Sequence, residues 1–148
     1  MNVKEVMTKS PACCLPTTKL DEVARMMVDN DCGEIPVIRS KEKPELVGVI
    51  TDRDICCRVV AKGKSTATTT ANECMTSPVF TVTPETDLTQ ACKMFEEKEV
   101  RRLPVIDSRS HVVGIVSLAD LVERAPEQYA REVLRYASKS AGAGAAAH

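Results

Sequence analysis

Two short runs carry side chains able to do chemistry. Thr51-x-x-Asp54 and Ser117-x-x-Asp120 each place a hydroxyl three residues before a carboxylate, at the end of an apolar run. The hydroxyl can donate to a phosphate oxygen, and the carboxylate can accept from a pair of ribose hydroxyls. A helix N-terminus directly after a strand also suits a phosphate. A carboxylate repels bare phosphate, so the pattern favours a ligand carrying both sugar and phosphate. Arg53 lies between the pair in the first run and can pair with phosphate; Ala119 stands there in the second. A purely structural reading uses the same spacing, as a capping box with Asp in place of Glu.

Other chemistries find little support, and no catalytic residue is assigned. The only histidines are His111, in a predicted turn, and His148, at the end of the chain. A Cys–His or Ser–His pair would depend on His111. No Gly-x-Gly-x-x-Gly or Walker-type loop occurs. Gly48 and Gly114 stand singly within predicted strands, where they mark close backbone approach. Arg101-Arg102, beside Glu97 and Glu99, reads as a solvated face. The seven cysteines are odd in number, which argues against a disulfide framework. Cys13-Cys14 and Cys56-Cys57 are adjacent pairs, and neighbours in a strand point to opposite faces, so each is a poor chelate. Cysteine as a small buried hydrophobe is the simpler account and implies no metal; metal or redox sensing is the alternative.

These runs are positioned by elements that occur twice. Ile35-Pro36-Val37-Ile38 followed by Val47-Gly48-Val49-Ile50-Thr51 returns as Leu103-Pro104-Val105-Ile106 followed by Val113-Gly114-Ile115-Val116-Ser117. Upstream, Met7-Thr8 returns as Met75-Thr76, a shift of 68 (7 to 75), which falls to 66 (48 to 114) after a shortened polar loop. This is an internal duplication. Each copy reads β-α-β-β-α: strands at 12–15, 35–39 and 46–51 with helices from Thr17 or Thr18 and over 52–61, then strands at 79–82, 103–107 and 112–117 with helices over 87–97 and 118–124. Leu20, Val23, Ala24 and Met27, and then Leu88, Ala91, Cys92 and Phe95, fall at helical spacing. Residues 1–10 read as a lead-in helix. One copy alone is marginal as a core, so two copies packed sheet to sheet with pseudo-twofold symmetry, in an α/β (α+β) fold, are expected. Such a pair would create two equivalent clefts. The expected divisions are a first repeat over 1–62, a linker over 63–71, a second repeat over 72–126, an amphipathic helix over 127–138 and an unstructured or non-native tail over 139–148.

Composition bounds the remaining classes. The net charge of −1 gives no global attraction to nucleic acid or acidic membrane. No apolar run approaches the roughly 20 residues needed to span a bilayer, and the N-terminus lacks a signal-peptide core; a cytoplasmic protein is expected. Two Phe, two Tyr and no Trp leave aliphatic residues, Met and Cys to pack the interior. Ile55, Val59, Val60, Leu121 and Val122 are expected to be left over for a twofold contact in a homodimer.

The Met-Thr…Pro opening, Gly33-x-Ile35-Pro36-Val37 and the Val47-Gly48-Val49-Ile50-Thr51-x-Arg53-Asp54 run resemble a cystathionine-β-synthase (CBS) domain, and the second copy resembles another. The likeness covers about residues 3–124 and is similar to the small stand-alone tandem-CBS proteins, including the hypoxic response type. The resemblance implies a non-enzymatic regulatory module binding an adenosine-containing ligand (AMP, ATP, S-adenosylmethionine or NAD), with no obligatory cofactor, and dimerising into a flat disc. It implies ligand contacts from Thr51, Arg53 and Asp54 with Thr76 nearby, and from Ser117 and Asp120 with Thr8 nearby. Backbone of Ile35, Pro36 and Val37, and of Leu103, Pro104 and Val105, would line the base. Arg101 in place of Gly33 and Ala119 in place of Arg53 make the first cleft the expected tighter one. The rival readings are a ligand-free interaction module, with Tyr129, Val133 and Tyr136 presenting a helix to a protein partner, and a cysteine-based metal or redox sensor.

Overall fold

The computed structural model describes residues 1–146. In chain order its elements are β1 (Thr8–Lys9), α1 (Leu20–Asp29), β2 (Glu34–Ile38), β3 (Leu46–Thr51), α2 (Asp52–Arg58), α3 (Ala71–Cys74), α4 (Leu88–Lys98), β4 (Arg102–Ile106), β5 (Val112–Ser117), α5 (Leu118–Arg124) and α6 (Glu127–Ala146). Single 3₁₀ turns lie at Val3–Glu5 and Val60–Lys62. The class is α+β, as the alternation of patterns predicts. The residues divide into two compact units, neither continuous in sequence. The first takes Ser10–Val79 and Ile106–Val113; the second takes Met1–Lys9, Phe80–Val105 and the chain from Gly114 onward.

In the first unit, β2 and β3 pair antiparallel, with Ile35 opposite Ile50 and Val37 opposite Gly48. Every residue of β2 is buried. Helix α1 covers this hairpin with Leu20, Val23 and Met27, which join Ile35, Val37, Ile50, Ile55, Val59, Ala71 and Cys74 in one core. Fully burying an aliphatic side chain is worth about 1.5–3 kcal/mol, so this seam outweighs the local signals at the helix ends. That is visible at the start of α1. Neither Thr17 nor Thr18 caps it: Lys19 is the N-cap residue, without a side-chain bond. The Leu20 and Asp21 amides donate instead to the Thr69 and Thr66 carbonyls, at 3.0 and 3.1 Å. The threonine-rich connection expected to be a plain linker supplies these acceptors, and Thr69 is buried with its hydroxyl donating to the Ser65 carbonyl at 2.7 Å. It then starts α3 through a capping box between Thr70 and Glu73.

In the second unit, the sheet order is β1-β5-β4. Strand β1 runs antiparallel to β5, with Thr8 opposite Ile115 and Lys9 opposite Gly114. Helix α4 buries Leu88, Ala91, Cys92 and Phe95, the four positions its periodicity picks out. Tyr129 and Val133 of α6 are buried and Tyr136 is half-buried, so the stripe expected to face a partner packs largely inside its own unit.

Several local expectations are corrected. The lead-in helix over 1–10 is one 3₁₀ turn followed by β1. The strands expected at 12–15 and 79–82 reduce to single parallel bridges, Cys14 with Val37 and Val82 with Val105. Both stretches lie between prolines (Pro11 and Pro16, Pro78 and Pro84), which offer no ladder donor and restrict the residue before them. The helix expected over 52–61 stops at Arg58, and the turn after it ends at Gly63 in the left-handed region, φ 72°. Helix α6 continues past Ser138 to Ala146, through alanine-rich sequence with high helix propensity; the part of the tail expectation at 147–148 lies outside the described residues. Ile55, Val59 and Leu121 are buried in the core, leaving only Val60 and Val122 of the expected dimer patch exposed. Among the described residues no helix is long and apolar enough to cross a membrane.

Candidate functional site

The two hydroxyl–carboxylate pairs sit at the β3–α2 and β5–α5 junctions, where an apolar strand passes directly into a seven-residue helix. Each forms a complete capping box. In the first unit the Asp54 amide donates to Thr51 Oγ1 at 3.0 Å, and the Thr51 amide donates to Asp54 Oδ2 at 3.0 Å. In the second, the Asp120 amide donates to Ser117 Oγ at 3.1 Å and the Ser117 amide to Asp120 Oδ2 at 2.8 Å. The Ser117 hydroxyl also donates to Asp120 Oδ2, at 2.7 Å. Local geometry alone fixes these side chains, which is why the spacing was readable.

A second segment completes each arrangement. The strap Cys74–Thr76 lies along β3, with the Thr76 amide and carbonyl bonded to the Val49 carbonyl and amide at 2.8 and 3.1 Å. Thr76 donates its hydroxyl to Asp54 Oδ2 at 3.4 Å. In the second unit β1 plays the same part beside β5, but Thr8 is exposed, and among the described residues no hydrogen bond joins its hydroxyl to Asp120. The lone glycines permit this approach: a Cβ on Gly48 would come within 3.1 Å of the Thr76 carbonyl, and one on Gly114 within 3.0 Å of the Thr8 carbonyl.

The structure adds two residues beyond the sequence motif. Arg58 Nη2 lies 3.6 Å from Asp54 Oδ1 while its Nη1 donates to the Cys74 carbonyl at 3.0 Å. Arg124 Nη1 lies 3.7 Å from Asp120 Oδ1 and donates to the Val6 carbonyl at 3.2 Å. Both arginines are nearly half exposed, at 45% and 48%, against 14% and 12% for the two aspartates. Pairs of this length and exposure are worth about 0–1 kcal/mol. The signal that marks them is the Asp-x-x-x-Arg spacing, which brings side chains together on one helix face.

Other expected contributors fare differently. Arg53 is exposed, and among the described residues its side chain joins no ion pair or hydrogen bond. The helix starts offer little to a phosphate: the Asp52 and Leu118 amides donate to the Gly33 and Arg101 carbonyls at 3.0 and 3.1 Å, and the Asp54 and Asp120 amides are spent in the capping boxes. Ile35, Val37, Leu103 and Val105 are fully buried, and Pro36 and Pro104 are also inside. Only their backbone can meet a ligand, and the Pro36 and Pro104 carbonyls already accept from the Cys14 and Val82 amides, at 2.9 and 3.1 Å.

The cysteines divide by burial. Cys14, Cys74 and Cys92 are inside, Cys13 is half-buried, and Cys32, Cys56 and Cys57 are exposed. Cys56 and Cys57 lie on α2, so they diverge by a helical step rather than pointing to opposite faces of a strand. Among the described residues no three His, Cys, Asp or Glu side chains are grouped to hold a metal. Burial pushes the Cys13 and Cys92 thiols up to about 11 and Cys14 to about 12, from an ordinary value of 9.0. Their contribution to stability is therefore full below about pH 9 and is lost as pH rises through these values. Native protein treated with an alkylating reagent at neutral pH is expected to modify Cys32, Cys56 and Cys57 first. Peptide mass spectrometry that finds Cys14 or Cys92 modified as fast as Cys56 would contradict this.

Two CBS domains match the chain, over residues 3–60 and 71–127. The chain belongs to the CBS-domain family. Hypoxic response protein 1 of Mycobacterium tuberculosis is 32% identical over 124 residues, covering 84% of this chain and 85% of that protein. The crystal structure of Hypoxic Response Protein I with two coordinated zinc ions superimposes with a TM-score of 0.76 at 29% identity, covering 85% of this CBS chain and all of the other. CBSX2 in complex with AMP gives 0.72 at 26% identity, over 84% and 95% of the two chains. The CBS domain pair of MJ0100, in complex with 5′-methylthioadenosine and S-adenosyl-L-methionine, gives 0.73 at 26%, over 82% and 96%. The chain spans 63% of the length of protein MK0525 of Methanopyrus kandleri, to which it is 31% identical over 126 residues.

Proposed function

We propose that this protein is a non-enzymatic regulatory module that binds an adenine nucleotide, AMP or ATP, or another adenosyl ligand such as S-adenosylmethionine, at two sites. The observation that carries the reading is the same constellation built twice: hydroxyl, capped aspartate and a guanidinium joining the helix to a strap. In each copy the aspartate keeps one oxygen, Oδ1, out of the capping box, and that oxygen is the one able to accept from a ribose diol. Thr51 or Ser117 then faces the phosphate, with the backbone at 35–37 or 103–105 toward the base. Relatives with AMP, methylthioadenosine and S-adenosylmethionine support the ligand class. The active form is proposed to be a homodimer.

Calorimetry of the parent protein against AMP, ATP and S-adenosylmethionine tests the reading, with native mass spectrometry of the purified protein giving retained ligand and subunit number together. Saturable binding of one or more of them, and a mass twice that of the chain, are expected. Absence of binding across the panel would sink the nucleotide reading, and a monomer mass that does not change on dilution would sink the dimer.

A further inference from the structure

We propose that Arg58 and Arg124 are the specificity-determining residues of the two sites: each guanidinium holds its aspartate while the site is empty and passes to the ligand's phosphate on binding. The sites would then select phosphorylated nucleosides over free ones. This deepens the nucleotide reading above and rests on it.

Three observations converge. First, the arrangement is built in both units. Arg58 joins Asp54 Oδ1 to the Cys74 carbonyl, and Arg124 joins Asp120 Oδ1 to the Val6 carbonyl. Val6 and Cys74 are themselves repeat equivalents at the 68-residue shift. The copies differ nearby, with Ala119 for Arg53 and Glu123 for Cys57, yet each guanidinium returns to its aspartate and to the equivalent strap carbonyl, Arg124 also donating to the Met7 carbonyl at 3.5 Å. Second, Oδ2 of each aspartate is consumed inside its capping box. A ribose diol is therefore left with Oδ1, the oxygen each arginine faces at 3.6 or 3.7 Å, and a diol bonded there competes with the guanidinium for it. Third, a phosphate placed beside that ribose needs a cation, because the first helical amides are already bonded to Gly33 and Arg101 carbonyls. The displaced guanidinium is the cation in contact with the site, and it is long, nearly half exposed and held by a weak pair.

An uncharged nucleoside strands the arginine. A nucleotide replaces the lost carboxylate with a phosphate of the same sign, for which guanidinium is a strong bidentate partner. Selection thus comes from exchanging one anion for another at a single cation.

The test compares AMP with adenosine by calorimetry in the parent and in Arg58→Gln, Arg124→Gln and the double variant. In the double variant AMP affinity is expected to fall by about ten- to a hundredfold, the range of a charge-assisted contact, while adenosine affinity holds or rises. Arg58→Lys should keep part of the preference. In the parent alone, the preference for AMP should shrink as salt is raised. Equal weakening of AMP and adenosine in the double variant, or a preference for AMP unchanged by the substitutions or by salt, overturns the proposal while leaving nucleotide binding standing. A parent that binds neither AMP nor adenosine removes this proposal, and one that also fails to bind ATP and S-adenosylmethionine removes the nucleotide reading with it; both results are seen before any variant is made.

Discussion

Asp54→Ala is expected to abolish one adenine-nucleotide binding event, Asp120→Ala the other, and the double variant to bind none. Each substitution removes the carboxylate of its capping box. Charge-assisted hydrogen bonds contribute about 1.5–3 kcal/mol each, so loss of both ribose contacts should weaken binding by at least about a hundredfold. The structural cost is smaller. Losing a capping side chain costs about 0.5–2 kcal/mol, and Arg58 and Arg124 are exposed enough to turn to water. The variants should therefore stay folded, and circular dichroism with thermal unfolding checks that they do. The Asp54 event is expected to be the tighter one, though not because of Arg53, which stands clear of the pair. The Ser117 hydroxyl already donates to Asp120, whereas the Thr51 hydroxyl only accepts, from the Asp54 amide, so its proton remains available for a ligand. Folded single variants that bind AMP as the parent does would reduce both aspartates to helix caps.

What could be read from the sequence follows how local each interaction is. The β3–α2 and β5–α5 junctions fall where the pattern puts them, because hydroxyl, acid and apolar run lie within a few residues of one another. Phe95 and its three companions on α4 were legible for the same reason: a helical period is a local property. Hydrogen bonds formed across long stretches of chain were not. Nothing in Thr17 and Thr18 reveals that α1 takes its caps from Thr66 and Thr69 carbonyls. Met1–Lys9 groups with residues 80–105 rather than with the repeat it precedes; its own composition does not show this, and only the family resemblance put Thr8 beside Ser117 and Asp120.

The candidate site shows the same division. The capping boxes were visible as motifs, and one geometry serves both as helix cap and as ligand site. Arg53 drew attention by standing between Thr51 and Asp54, but on a helix the next residues point away from one another. Arg58 and Arg124, a full turn beyond each aspartate, share its face. Helical spacing rather than adjacency along the chain marks the contributing cation.

Gly48→Val and Gly114→Val are expected to destabilise the protein by about 1–3 kcal/mol each, the usual range for overpacking a tight site. A Cβ at residue 48 would meet Met75 Sδ at 2.5 Å and Cγ at 2.9 Å, and one at residue 114 would meet Met7 Sδ at 2.6 Å. Methionine is flexible enough to move aside, so alanine alone can be partly accommodated. The backbone is not so free. The Thr76 carbonyl at 3.1 Å is bonded to the Val49 amide, and the Thr8 carbonyl at 3.0 Å belongs to β1, paired to β5. The two further methyls of valine therefore have to push a strap off its strand. In the first unit that strap carries the Cys74 carbonyl that holds Arg58 and the hydroxyl that reaches Asp54. Gly48→Val should consequently weaken nucleotide binding at the Asp54 site under conditions where the protein is still folded, and Gly114→Val should do so at the Asp120 site. Chemical denaturation measures the first effect and calorimetry the second. A valine variant that unfolds with the parent would mean that the strap yields without cost, and that glycine is not required for the close approach.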